Sequence, residues 1–109
     1  SLGVESEPVL FEEAELSAQK CKFLVNATSI GLKGETSPIS AKAISPEHIV
    51  YDIVYIPMNT DFISQAKKSG ATIIYGYEML LGQASIAFEI WHKIKAPYDA
   101  MKKVLLGGF

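Results

Sequence analysis

Three short runs of apolar, β-branched and aromatic residues dominate the chain: Phe23-Leu24-Val25, Ile49 through Ile56, and Thr72-Ile73-Ile74-Tyr75. The first is too short for a helix and is flanked by polar residues, which favours a buried strand. The middle run, closed by Pro57, carries the strongest strand signal in the chain. The third stops at Gly76. Strands that alternate with crossovers pair in parallel, with right-handed connections.

The intervening segments supply those crossovers. Phe11, Ala14, Ala18 and Cys21 recur at helical spacing. They predict a helix over about 10–20, with Glu12, Glu13 and Glu15 near its N-terminus, where the dipole favours acids. Asn26 to Pro38 spells turn and loop. Ser45-Pro46-Glu47-His48 reads as an N-cap followed by a single turn. Asn59 or Thr60 caps a helix carrying Phe62, Ile63 and Ala66, which Gly70 stops. The longest helix is predicted over about 77–93, with Leu80, Ala84, Ala87, Phe88 and Trp91 as its apolar stripe and Met79, Ile86 and Ile90 widening it. Ala96-Pro97 breaks it. A last helix follows, with Tyr98, Met101, Val104 and Leu105 inward and Gly107-Gly108 as its stop. A parallel sheet buries both faces and seldom stands on three strands, so the pattern predicts half of a doubly wound α/β domain.

Composition narrows the function classes. The 109 residues make one domain, and 49% apolar with 20% charged residues is a globular composition. A formal charge of −2 gives no footprint for nucleic acid. No apolar run is long enough to span a bilayer, and the acidic start lacks a secretory pattern. Absence of an initial Met leaves open a processed or truncated piece. A lone Cys21 excludes an internal disulfide and a multi-cysteine metal site, and is expected to pack as a small apolar residue.

Four features could carry chemistry. The turn Asn26 to Gly31 follows the first strand, and open parallel sheets bind ligands at the carboxyl ends of their strands. It is either a ligand turn, with Gly31 admitting close approach, or an ordinary polar turn. Tyr55, expected at the end of the second strand, is either a donor to a ligand hydroxyl or carboxylate or a rim aromatic. Asp52 within that strand is costly to bury unless hydrogen-bonded, and reads as structural. Gln83 lies on or beside the apolar helix face, where its amide must be satisfied either by the core or by a polar ligand. His48 and His92 lack helical metal-site spacing and are expected at a solvated surface. No Ser-His-Asp, paired-carboxylate or phosphate-loop motif is present.

Asn26-Ala27-Thr28-Ser29-x-Gly31, Tyr51-Asp52-Ile53-Val54-Tyr55-x-Pro57 and Gly76-x-Glu78-Met79-Leu80-x-x-Gln83-Ala84 together resemble the shikimate dehydrogenases. Each motif alone is weak, but three in order are specific, and the likeness covers about residues 10–109. It implies the second half of a three-layer, Rossmann-like NADP-binding domain spanning 1–109, ending in helices that return to a substrate domain. The implied reaction is the reversible, NADP-dependent reduction of 3-dehydroshikimate to shikimate in aromatic amino-acid biosynthesis, in the cytoplasm. By the same resemblance Asn26, Thr28 and Ser29 lie near the cofactor. Ile53 and Gly76 line its nicotinamide end with Met79 beside them, and Tyr55 and Gln83 contact the substrate. Leu32, Ile56, Asp61 and Tyr77 depart from the usual Met, Asn, Pro and Leu.

The family's catalytic Lys and Asp belong to an N-terminal domain, and its Gly-rich phosphate turn precedes the motifs present here. The resemblance therefore implies no catalytic residue in this chain, no metal, and the N-terminal domain of the same enzyme as partner. Neither nucleic acid nor membrane is expected as a partner. The rival readings are a non-catalytic half-domain that docks a partner through its sheet edge, and a quinate dehydrogenase relative.

Overall fold

The structure, a computed structural model, describes residues 3–107. Three parallel strands lie in the order β1-β2-β3: β1 is Phe23–Asn26, β2 is Ile49–Asp52 and β3 is Thr72–Ile74. The register pairs Leu24 with Val50 and Val50 with Ile73. Those three residues point to one face, where Ala18, Ala43, Ile44, Phe62, Ile63 and Ala66 complete the core. That face is covered by α1 (Ala14–Gln19), preceded by a 3-10 turn over Phe11–Glu13, and by α2 (Asp61–Lys68). A second 3-10 turn, Ala41–Ala43, sits in the first crossover, within a segment read from sequence only as irregular.

Side chains alternate across a strand, so Phe23, Val25 and Tyr51 face the opposite way. α3 (Gly76–His92) meets that face through Met79, and α4 (Tyr98–Gly107) packs on α3. Phe23 and Val25 stay about half exposed.

α2 ends as predicted. Gly70 adopts a φ of +80°, and the amides of Gly70 and Ala71 bond to the carbonyls of Lys67 and Ala66. α3 stops earlier than Ala96-Pro97, at Lys93 in the left-handed region. Gly108 lies outside the described residues, and Gly107 is the last residue of α4.

Several expectations are corrected. The second strand stops at Asp52, four residues short of Ile56, because β1 and β3 offer no partners further along. The single turn expected at Ser45 to His48 does form, with His48 N–H donating to the Ser45 carbonyl. His48 is buried rather than solvated. Its Nδ1 accepts from the Ser45 amide at 2.9 Å, so Nε2 carries the proton and donates to the Ala18 carbonyl at 2.9 Å. The ring thus ties the end of α1 to the start of β2. Cys21 and Phe11 are exposed, leaving Ala18 as the buried residue of α1.

On α3 the buried side chain is Leu81, while Trp91 is 75% exposed, Ile86 and Ile90 are exposed, and Met79 is half exposed beside Tyr51. On α4 Met101 and Leu105 are half-buried, but Tyr98 and Val104 are exposed. α3 is apolar around most of its circumference, so periodicity alone does not choose its face.

Candidate functional site

A crevice of about 460 Å³ opens where β1 and β2 end. One wall is the turn carrying Ala27, Thr28, Ser29 and Leu32. The other is the segment Ile53 to Ile56. Both walls hang from Asp52, which is fully buried. Its Oδ1 accepts from Asn26 Nδ2 at 3.1 Å and from the Val54 amide at 3.0 Å. Its Oδ2 accepts from Thr60 Oγ1 at 2.7 Å. The Val54 bond bends the chain out of the strand two residues after Asp52, as Asp side chains do in turns. A buried carboxylate is tolerable only when its oxygens are met by such donors.

Asn26 is likewise consumed from within. Its Nδ2 also donates to the Ile30 carbonyl at 2.9 Å, and its Oδ1 accepts from the Thr28 amide and hydroxyl at 3.1 and 2.6 Å. Asn26 is 3% exposed, and its amide is spent on holding the turn to Asp52. Gly31 is buried in the same turn. Its φ is +109°, and a Cβ there would lie 3.0 Å from Thr60 Cγ2, so glycine is what lets Thr60 pack against the turn.

Thr60 caps α2 by accepting from the Ile63 amide at 3.2 Å while donating to Asp52. One hydroxyl thus couples the helix start to the crevice floor.

Beyond Gly31 the turn is tied by Glu35, which sequence reasoning passed over. Its Oε2 accepts from the Gly31 and Lys33 amides, each at 2.9 Å. Its own backbone amide, then those of Lys33 and Gly31, hold its carboxyl below the usual carboxylate range, with a small push from the Lys33 charge. The available signal was a carboxylate directly after Gly34, a residue with a φ of +79°.

Of the residues singled out, Thr28, Ser29, Ile53 and Tyr55 come together on the crevice. Tyr55 lies three residues past β2 rather than at its end, and is 37% exposed. Its hydroxyl and that of Ser29 have no partner among the described residues. The Thr28 hydroxyl proton is given to Asn26, and its oxygen accepts from the Ile30 amide.

Gly76 is buried at the start of α3. A Cβ there would lie 2.7 to 2.8 Å from the carbonyl oxygens of Asp52, Ile53 and Val54, so only glycine lets α3 abut the second wall. Met79, one turn on, is exposed, and its Sδ accepts from the Tyr51 hydroxyl at 2.8 Å. Burial, then the Asp52 charge, raises the Tyr51 phenol above its ordinary 10.0, which keeps it a donor. Gln83 does not join the crevice lining. It is exposed, with Nε2 donating to the Leu80 carbonyl at 3.2 Å, so the expectation that its amide is pressed into an apolar face is not met.

The crevice is apolar on Leu32, Ile53, Val54 and Ile56, and carries no charged side chain. It suits a flat ring with few polar groups, and offers nothing to a diphosphate.

Residues 76–106 match the family described as the Shikimate 5'-dehydrogenase C-terminal domain. The chain is 56% identical over 108 residues to a shikimate dehydrogenase (NADP(+)) from Nitrosopumilus maritimus, covering 99% of this chain and 40% of that protein. It superposes on a shikimate 5-dehydrogenase from Thermus thermophilus, solved with NADP(H) and shikimate, with a TM-score of 0.79 and 30% identity, covering 93% of this chain and 38% of that one. A quinate dehydrogenase from Corynebacterium glutamicum, in complex with NAD, has a TM-score of 0.84 at 23% identity over 89% of this chain and 35% of that one, a likeness of fold alone. The chain therefore spans about two-fifths of the length of the curated relative it matches over nearly its whole extent.

Proposed function

We infer that this chain, which carries the sequence of the C-terminal part of the shikimate dehydrogenase family, serves in an enzyme that reversibly reduces 3-dehydroshikimate to shikimate with NADP. The observation that carries the reading is the coincidence of 56% identity, over 99% of this chain, to part of a shikimate dehydrogenase with an uncharged, largely apolar crevice at the carboxyl ends of parallel strands. Residues 1–109 then form the second half of the Rossmann-like cofactor domain, and the last helices return toward a substrate domain. We read the enzyme as cytoplasmic; no helix of the described residues is long and apolar enough to cross a membrane.

The residues present fit one end of NADP. Leu32, Ile53, Val54 and Ile56 offer apolar surface to a nicotinamide ring, and the Ser29 and Thr28 hydroxyls stand beside it. When bound, the nicotinamide supplies the hydride chemistry. The chain's own residues orient it. Asn26 and Asp52 fix the two walls, Gly76 seats α3 against the second wall, and Met79 is steadied by Tyr51. The Tyr55 hydroxyl faces substrate, and Gln83 approaches it from α3. No residue of this chain moves the proton, and the diphosphate and the catalytic pair are held elsewhere in the enzyme.

The test is a spectrophotometric assay of the full-length protein containing this chain, with shikimate or quinate against NADP or NAD. Shikimate with NADP is expected to give the highest kcat/KM. Preference for quinate would reassign the substrate. Absence of turnover with all four pairs would leave the non-catalytic half-domain as the reading.

A further inference from the structure

We propose that Glu35 is a positioning residue for the cofactor, acting by clamping the turn that holds Leu32 against the crevice. The proposal rests on the dehydrogenase reading above. Its observations are geometric. Leu32 is 56% exposed yet lines the crevice wall facing Ile53 and Ile56. An aliphatic side chain so open to solvent has little packing of its own to fix it. What fixes it is the backbone on either side, where the Gly31 and Lys33 amides both donate to Glu35 Oε2 at 2.9 Å.

The residue between two chelated amides has its φ and ψ bracketed. Leu32 itself donates its N–H to the Ser29 carbonyl at 3.1 Å, and Gly34 closes back on the Gly31 carbonyl at 3.2 Å. The turn thus has one carboxylate as its hub and Leu32 as its projecting side chain. Charge-assisted bonds to backbone amides are the stronger kind of hydrogen bond. Glu35 is exposed, and its carboxylate bonds are to the amides of this turn.

The consequence is a wall of defined position on the crevice that Ile53 and Ile56 also line. Without the clamp, Leu32 samples other positions, and the ring is bound with a looser fit. Binding of the cofactor suffers, while the chemistry on the bound complex, set by residues elsewhere, is largely kept.

The experiment uses the full-length protein and the variants Glu35→Ala, Glu35→Gln, Leu32→Ala and Glu35→Ala with Leu32→Ala. Glu35→Ala is expected to raise the KM for NADP about three- to tenfold, with kcat within about twofold and an unmoved melting temperature. Glu35→Gln keeps an acceptor oxygen and falls between. Because Glu35 acts through Leu32, the double variant should be no worse than Leu32→Ala alone, whereas independent effects would multiply. Hydrogen exchange at the Gly31 and Lys33 amides should quicken in Glu35→Ala. An unchanged KM for NADP in an active enzyme, or multiplicative effects in the double variant, would overturn the role of Glu35 and leave the dehydrogenase reading standing. A wild-type protein without turnover on any substrate and cofactor pair would overturn the dehydrogenase reading, and this proposal with it.

Discussion

Two hydroxyls at the crevice, those of Ser29 and Tyr55, have no partner among the described residues. Tyr55 is the larger lever. Its ring lines the crevice and also a second hollow shared with Met58, Tyr77 and Leu105, so it stands between two spaces. In the full-length enzyme Tyr55→Phe should lower kcat/KM for shikimate about ten- to hundredfold, the worth of one hydrogen bond to a charged group. The KM for NADP should stay where it was. Steady-state kinetics with each substrate varied checks this, and unchanged shikimate kinetics would remove Tyr55 from the site. Gln83 makes a different case. Its amide donates only within its own helix, and the residue is exposed. Gln83→Ala should therefore leave the melting temperature in place, whereas a core amide would cost roughly 1–3 kcal/mol when removed. If Gln83 serves substrate, the same variant raises the KM for shikimate or lowers kcat. A lowered melting temperature with normal kinetics would show that Gln83 has a structural partner in the complete protein.

The strands, α2 and the parallel order were legible because they rest on local signals: β-branched runs, a Thr cap and a Gly stop. What was illegible depends on partners far along the chain. The length of β2 is set by where β1 and β3 end, and by Asp52 turning its carboxylate onto Val54. The burial of His48 depends on a carbonyl thirty residues away. The inner face of α3 is chosen by what packs on it, since the helix is apolar on several sides. Part of the site was legible through strand-end logic, which found the turn and Tyr55. Its frame was not, because Asn26, Asp52 and Thr60 meet only in the fold. That frame yields a prediction for α2. Thr60→Val keeps the shape but deletes both the cap on Ile63 and the donor to a fully buried carboxylate. The loss should be roughly 2–4 kcal/mol, read by chemical denaturation. Thr60→Ser, which keeps the hydroxyl, should recover most of it. Full stability in Thr60→Val with a loss in Thr60→Ser would show that the methyl packed against Gly31, not the hydroxyl, is what matters.

As a whole molecule the chain is open. Its radius of gyration is 16.2 Å, against about 13 Å for a compact domain of this length. Its accessible surface is 7803 Å², where a compact monomer of 11.9 kDa would expose roughly 6,000 Å². The surplus is apolar in two places. One is the uncovered sheet face with Phe23 and Val25 beside the free edge of β1. The other is the outer side of α3 and α4, with Ile86, Ile90, Trp91 and Val104. In the proposed enzyme these faces meet the rest of the cofactor domain and the substrate domain. Purified alone, the 109-residue chain should therefore bind a hydrophobic dye and self-associate as its concentration rises, since open strand edges and large apolar patches both favour association. It should also show no shikimate turnover with NADP, because the proposed function assigns the catalytic pair and the diphosphate site to other parts of the enzyme. Sedimentation velocity across a concentration series and a sensitive NADPH assay check the two parts. A monomer that stays compact at high concentration would mean that the exposed faces close on one another. Turnover that survives removal of host dehydrogenase would mean that the chain supplies an acid or base of its own, for which the exposed carboxylates and Lys33 beside the crevice turn would be the first residues to test.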